Sequence, residues 1–411
     1  MPKSIAILHY SCPPVVGGVE EIVRQQASLF YRYHHHVKVL AGNGGPFSDE
    51  IDVEIHPLLS SRNSAILKLQ KDPATNAREL DDFRRQIYDY LVSSLKYYDI
   101  LIAHNVLSMH YNLPLTQALH QLADTSGIKV IAWNHDSPFF YDTPPEHITD
   151  GHWSILRRYN TNIHYVTISA SRVKEFYELY GENGTVVRLI NNGIDPIRFF
   201  RLDRYTIRLI REQNLFVADL ILVQPSRLHP RKNIELSIRV LHALQEMGIN
   251  AKLLLTGAYD PHEDKTKNYY HKLLRLANRL GVNSHLIIAA EYTFKNGDKL
   301  SADRVIIRDL YLISDILFMP SLQEGFGIPL LEAGMIKLPI ACSTIAPFKR
   351  IGDQNVFYFE PREAPQDIAR RMIQFLESLP THQMYRNVIR RYAWDNIYQF
   401  ELLPFLESIS E

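Results

Sequence analysis

Cysteine is nearly absent: Cys12 and Cys342 are the only two in 411 residues, far apart and outside any metal-ligand spacing. A disulfide framework and a zinc site are therefore not expected, and a reducing, cytoplasmic setting fits best. No apolar run approaches the roughly 20 residues that cross a bilayer, so no integral membrane segment is expected and any membrane contact would be peripheral. The first ten residues pass straight into a short apolar strand, without the core or cleavage site of an export signal. Neither charge sign is in excess overall, with 45 basic against 45 acidic side chains; residues 1–195 hold 17 against 21, leaving 28 against 24 in residues 196–411. A mildly acidic first half argues against nucleic acid as a partner and against docking of that half on anionic lipid. Low complexity is missing too. With 46% hydrophobic and 22% charged residues the chain should fold throughout. At this length it exceeds what one core usually holds, giving two domains of roughly 200 residues each.

What is present is an alternation of short apolar runs with longer amphipathic stretches. Ile5–His9, Val37–Leu40, Ile100–Ala103, Val130–Trp133 and His164–Ile168 read as strands, with helices at Glu20–Tyr31, Asp81–Tyr97, Pro114–Ala123 and Ser171–Tyr180. That is the pattern of a parallel sheet covered on both faces. The turn-rich Asn191-Asn-Gly-Ile-Asp-Pro196 interrupts it, and the domain boundary is placed there, between residues 195 and 196. A second series follows, with strands at Leu220–Gln224, Lys252–Thr256, His285–Ala289, Ile316–Met319, Pro339–Cys342 and Val356–Phe359. Helices at Ile234–Glu246, Lys267–Leu280 and Val305–Ile313 separate them. The second domain is taken to end at residue 390, with an aromatic-rich helical tail, 391–411, expected to pack back on the first. The expected fold class is α/β with two Rossmann-like domains facing across a cleft, ligands lying at the carboxyl ends of the strands.

The chemistry-bearing residues cluster at those strand ends. Ser321-Leu-Gln-Glu-Gly-Phe-Gly-Ile-Pro-Leu-Leu-Glu332 puts Glu324 in a glycine-flanked loop and Glu332 inside the helix that Pro329 opens. Gly325 and Gly327 allow main-chain N–H groups, including that of Phe326, to approach a bound group, and the helix N-terminus favours an anion. Ser226-Arg-Leu-His-Pro-Arg-Lys-Asn233 brings Arg227 and Lys232 to the end of the first strand of the second domain, where they can neutralise a diphosphate without a metal. Gly17 and Gly18 open the first helix as an anion-binding loop would, although a tight turn needs such residues as well. His135 and Asp136, in Trp133-Asn-His-Asp136, and His104 stand at strand ends of the first domain. The run His34-His-His36 lacks ligand spacing and reads as a polar surface loop, and no metal site is expected anywhere. Asn192, Gly193 and Asp195 read as a turn with an Asx-type bond.

These four fragments, Gly17-Gly-Val-Glu20, Asn192-Gly-Ile-Asp195, Ser226–Asn233 and Ser321–Glu332, in this order on two Rossmann-like halves, resemble family 4 retaining glycosyltransferases of the GT-B fold (glycosyltransferase group 1), over nearly the whole chain. The resemblance implies a metal-independent retaining enzyme, without cofactor, moving a hexosyl group from a nucleoside diphosphate sugar of the UDP-glucose or GDP-mannose type to a hydroxyl of a sugar-like acceptor; the mild acidity of the first half favours a soluble acceptor over a membrane lipid. By the same resemblance Glu332 holds ribose hydroxyls, and Glu324 with the amides of Gly325, Phe326 and Gly327 holds the sugar. Arg227 and Lys232 grip the diphosphate, His135 lies beside the donor sugar, and Gly17 and Gly18 lie near the phosphates and the acceptor; Asp136 and His104 are acceptor candidates by their strand-end positions, where a structural role is the alternative.

Two positions depart from the family pattern. Ile336-Lys-Leu-Pro339 lacks the usual glycine before the proline, and Lys349 stands where glutamate is common. Competing readings are a nucleotide-sugar-binding protein without catalysis and a GT-B sugar-nucleotide epimerase. A dehydrogenase is disfavoured because no Gly-x-Gly-x-x-Gly follows the first strand. The nucleotide base, the acceptor and the oligomeric state are not read from the sequence.

Overall fold

A computed structural model describes residues 2–149, 151–181, 184–257 and 264–410. The chain forms two compact units, Met1–Asp195 with Tyr392–Glu411, and Pro196–Arg391. The first contains a seven-stranded sheet built from β1 (Ser4–His9), β2 (His36–Ala41), β3 (Asp52–Ile55), β4 (Ile100–His104), β5 (Lys129–Asn134), β6 (Ile163–Thr167) and β7 (Val187–Leu189). The second has six: β8 (Leu220–Gln224), β9 (Ala251–Leu255), β10 (Leu286–Ile288), β11 (Ile316–Met319), β12 (Ile340–Ser343) and β13 (Phe357–Phe359). Strand order is 3-2-1-4-5-6-7 in one sheet and 10-9-8-11-12-13 in the other, and the pairs within both are parallel. Each order reverses direction once, between β1 and β4 and between β8 and β11. Such reversals splay the following loops apart and leave a crevice at the carboxyl ends of the strands.

The strands form where they do because both of their faces are covered. Along β1, Ile5 and Ile7 enter one core cluster while Ala6 and Leu8 enter the one on the opposite face. Along β8, Leu220 and Leu222 divide from Ile221 and Val223 in the same way. The two strands that the alternation did not reveal, β3 and β7, are short and lie at the sheet edges, where Asp-Val-Glu-Ile and Val-Arg-Leu carry too little apolar signal. The polar stretch before β8 also contains a helix, Arg204–Gln213, started by Asp203, whose side chain accepts from Tyr205 N.

The tail is held by the last two turns of the first helix, Gly18–Arg32, and by Tyr33 just after it. Arg32 Nη1 binds Asp395 at 2.7 Å, Tyr33 stacks on Tyr398 at 3.8 Å between centroids, and Trp394 Nε1 donates to Gln25 Oε1 at 2.6 Å. Trp394, Ile397, Leu402 and Leu406 are buried with β1 and β2 residues in one cluster. One expectation changes here. His35 is no surface residue: it is buried, with its ring between Lys3 N and Tyr398 OH. Asp195 is buried and forms an ion pair with Arg32.

The missing glycine in Ile336–Pro339 has a local consequence. Lys337 follows the helix Ile328–Met335 with φ of 61°, the left-handed conformation that ends many helices, and its N–H donates to Gly334 O at 3.1 Å. A Cβ in that conformation costs about 1 kcal/mol. Lys337→Gly should therefore stabilise the chain by about 0.5 kcal/mol after the added freedom of the unfolded chain is counted. This is read as a higher urea midpoint at unchanged slope; a lower midpoint would contradict the assignment of strain.

Candidate active site

Strands β8 and β11 lie side by side in the second unit, so the loops after them meet at the reversal of strand order. The β8 loop is anchored from below: the buried Gln224 donates through Nε2 to Lys232 O at 3.0 Å and accepts from Ser237 Oγ at 2.6 Å. The β11 loop is tied to it by Leu322 N donating to Arg231 O at 2.8 Å. Asn233, in a left-handed conformation at the start of the helix Ile234–Glu246, makes no cap bond to that helix. Its side-chain amide reaches Pro320 O at 3.1 Å and Pro361 O at 3.3 Å, joining the loops after β8, β11 and β13.

That framework brings Glu324 against two cations. Lys232 Nζ is 2.5 Å from Glu324 Oε1, Ser321 Oγ donates to the same oxygen at 2.8 Å, and Arg231 Nη1 is 3.3 Å from Oε2. Glu324 is only 10% exposed and Lys232 13%, so their attraction is less screened than at an open surface. Arg227 is exposed and has no hydrogen bond or ion pair among the described residues. A close approach places it: a Cβ on Gly257, after β9, would lie 2.4 Å from Ser226 O and 2.7 Å from Arg227 Cα. Gly327 starts the helix Ile328–Met335 at φ of 117° and packs on Phe348, whereas a Cβ on Gly325 would meet nothing. Phe326 between them is 58% exposed. Lys349 is exposed on the helix Ala346–Gly352.

Glu332 lies on the helix Ile328–Met335, and Tyr311 OH donates to its Oε2 at 2.7 Å. Burial, and then the bond to Glu332, push the Tyr311 phenol above its ordinary range, so it stays a donor. Glu332 borders a cavity of about 620 Å³ lined also by Pro225, Thr256, Arg304, Arg308 and Met335. Tyr311, Ser321 and Gly257 were not singled out in the sequence; of these only Ser321 lies inside a quoted motif.

In the first unit the reversal between β1 and β4 carries histidines. His104, at the end of β4, is fully buried; its Nε2 is 3.1 Å from Gln26 Oε1 and its Nδ1 3.0 Å from His135 Nε2. His135 N and Asp136 N both donate to Asn105 Oδ1, at 2.7 and 3.1 Å, and His135 Nδ1 is 3.3 Å from Asn192 Nδ2. With Gln26 Oε1 as acceptor, His104 Nε2 carries its proton, His104 Nδ1 accepts from His135 Nε2, and His135 Nδ1 accepts from Asn192. His104 therefore supports His135 and has no ring nitrogen left for an acceptor, which corrects its reading as a substrate contact. Asp136 is paired with Arg172 Nη2 at 2.9 Å and accepts from Tyr141 OH. At the first helix, the Glu20 carboxylate folds back against Gly17 and accepts from Ser11 Oγ at 2.6 Å, so the chain's own acid faces the helix N-terminus that Gly17 and Gly18 open.

Parallel sheets with one reversal each, and an acid-and-cation cluster at the second reversal, define a protein of two Rossmann-like domains of the GT-B class. Sequence profiles agree. The family described as glycosyltransferase family 4 matches residues 16–198, and that described as glycosyl transferases group 1 matches residues 206–392. The chain belongs to this family and is a glycosyltransferase. The mannosylglucosylglycerate synthase of Petrotoga mobilis is 23% identical over 373 residues, 84% of this chain and 83% of its own. The serotype-specific mannosyltransferase WbdA of Escherichia coli is 41% identical over 70 residues, 17% of this chain and 8% of its own. Among solved structures, the sucrose-phosphate synthase of Thermosynechococcus elongatus aligns over 100% of both chains at 16% identity, with a TM-score of 0.40.

The buried histidines set a pH dependence. Burial, and then the neighbouring His9, lower His135 to about 3, and burial lowers His104 well below its ordinary value. Protonation thus accompanies unfolding: the stability they confer is complete above pH 6.5 and is lost as pH falls from there toward 3. Urea unfolding should show stability dropping below pH 6.5 by about 1.4 kcal/mol per pH unit for each such histidine, less steeply in His104→Gln. A flat profile between pH 7 and 5 would contradict this.

Proposed function

We propose that the protein transfers a hexosyl group, with retention and without a metal, from a nucleoside diphosphate sugar of the UDP-glucose or GDP-mannose type to a hydroxyl of a sugar-like acceptor. The observation that carries the reading is the Glu324 carboxylate seated between Lys232 and Arg231 at the β8–β11 reversal, with Arg227 exposed on the same loop after β8 and without a side-chain partner among the described residues. In this reading Arg227 and Lys232 take the diphosphate, Glu332, oriented by Tyr311, takes the ribose, and Glu324 with the amides of Gly325, Phe326 and Gly327 takes the sugar. The mannosyl in the names of the Petrotoga and Escherichia relatives weights the donor toward the GDP-mannose type. His135 meets the sugar by exchanging the 3.3 Å bond from Asn192 for one from a hydroxyl. Gly17 and Gly18 contribute main-chain N–H groups, and Asp136, held by Arg172, contacts the acceptor.

Negative charge grows on the diphosphate as the glycosidic bond breaks, and cations already aimed at it lower the barrier. A phosphate oxygen of the leaving group takes the proton of the incoming hydroxyl on the same face, so the anomeric configuration is kept. Among the described residues no helix is long and apolar enough to cross a membrane.

Turnover of GDP-mannose and UDP-glucose with a panel of sugar acceptors, with the product anomer read by NMR, tests the reading. Glu332→Ala should raise the donor KM by about tenfold to a hundredfold, the effect of losing a charged hydrogen-bond partner. Lys232→Ala should lower kcat by about a hundredfold or more. Kinetics like wild type in both variants, or an inverted product, would remove it.

A further inference from the structure

Lys232 has two anions to serve. In the structure its ammonium is on Glu324 Oε1 at 2.5 Å; in the reading proposed above, on which this inference rests, it also neutralises the diphosphate. A diphosphate carries more negative charge than one carboxylate, and it enters with Arg227 as a second cation, so Lys232 is drawn from Glu324 when donor binds. Glu324 would then keep only the Ser321 hydroxyl, at 2.8 Å, on that oxygen. A carboxylate 10% exposed and without a counter-charge is strongly disfavoured.

The other oxygen faces a replacement. Arg231 Nη1 lies 3.3 Å from Glu324 Oε2 and 3.3 Å from Gln323 O, a loose shared contact that has room to shorten. Its backbone is fixed to the same loop, because Arg231 O accepts from Leu322 N at 2.8 Å. The side chain is 45% exposed, free to swing, and a guanidinium can grip a carboxylate with two parallel N–H groups where an ammonium offers a point charge.

We infer that Arg231 is a positioning residue: it takes over the Glu324 carboxylate when the donor diphosphate draws Lys232 away, keeping that carboxylate paired and aimed at the sugar hydroxyls. Binding of the nucleotide is then an exchange of ion pairs, in which the Glu324–Lys232 pair opposes the diphosphate and the Glu324–Arg231 pair stabilises the bound state. Two opposite effects follow from substitutions on one contact.

The test measures bare nucleotide and nucleotide sugar by titration calorimetry, using UDP against UDP-glucose and GDP against GDP-mannose, on wild type, R231A, R231K, E324Q and the double variant R231A/E324Q. Bare nucleotide and nucleotide sugar bring the same diphosphate, so each draws Lys232 from Glu324, and R231A should bind both about tenfold more weakly, with R231K recovering part of the loss. E324Q, which frees Lys232, should bind the bare nucleotide about threefold to tenfold more tightly. Arg231 does not touch the diphosphate in this account, so with Glu324 already Gln, R231A should change bare-nucleotide affinity by less than about twofold. R231A weakening the bare nucleotide as much in E324Q as in wild type would overturn the inference, making Arg231 a phosphate contact or a loop support. Bare-nucleotide binding in E324Q that is unchanged or weaker would overturn it too. Wild-type protein that binds neither UDP nor GDP would instead overturn the donor reading and the inference together.

Discussion

The contact between Lys232 and Glu324 depends on the whole second sheet. The two residues are 92 positions apart, and they meet only because β8 and β11 are neighbours at the reversal of strand order. Each loop is then pinned from several sides: Gln224 under Lys232, Asn233 across to Pro320 and Pro361, and Ser343 on β12, whose hydroxyl donates to Ser321 O at 2.6 Å. These bonds fix main chain, leaving the charged side chains as the parts that can move. A rigid frame carrying a few exchangeable ion pairs suits recognition of a charged ligand, since ordering the frame is complete before the ligand arrives.

The first unit uses a different chemistry at the corresponding reversal. His104 and His135 are buried and neutral, linked by hydrogen bonds that run from Gln26 to Asn192. His9, at the end of β1, faces the same main chain through His104 O at 2.8 Å. Imidazoles in this state define tautomers and directions without contributing charge. The second unit supplies cations and acids, and the first supplies fixed polar edges.

Much of this was legible in the sequence because the decisive residues are close together along the chain. The span from Ser321 to Glu332 and that from Ser226 to Asn233 each hold their own turn signals, so motif and local structure could be read as one. Strands with both faces buried, such as β4 and β8, announced themselves as continuous apolar runs. The edge strands β3 and β7 did not, since half-exposed positions dilute the pattern. The partners that orient the site were hidden for another reason. Tyr311 precedes Glu332 by 21 positions, and Gln26 precedes His104 by 78. Only the fold brings such pairs together, and a lone tyrosine or glutamine carries no signal by itself. The same blindness explains His104: its place at a strand end was readable, but its complete burial and its double pairing were not.

The most direct measurement is a crystal structure of the protein soaked with GDP-mannose or UDP-glucose. The account predicts diphosphate oxygens within hydrogen-bond distance of Lys232 Nζ and Arg227, ribose hydroxyls on Glu332, and Glu324 turned to the sugar. A nucleotide bound elsewhere, with Glu324 still seated on Lys232, would contradict it.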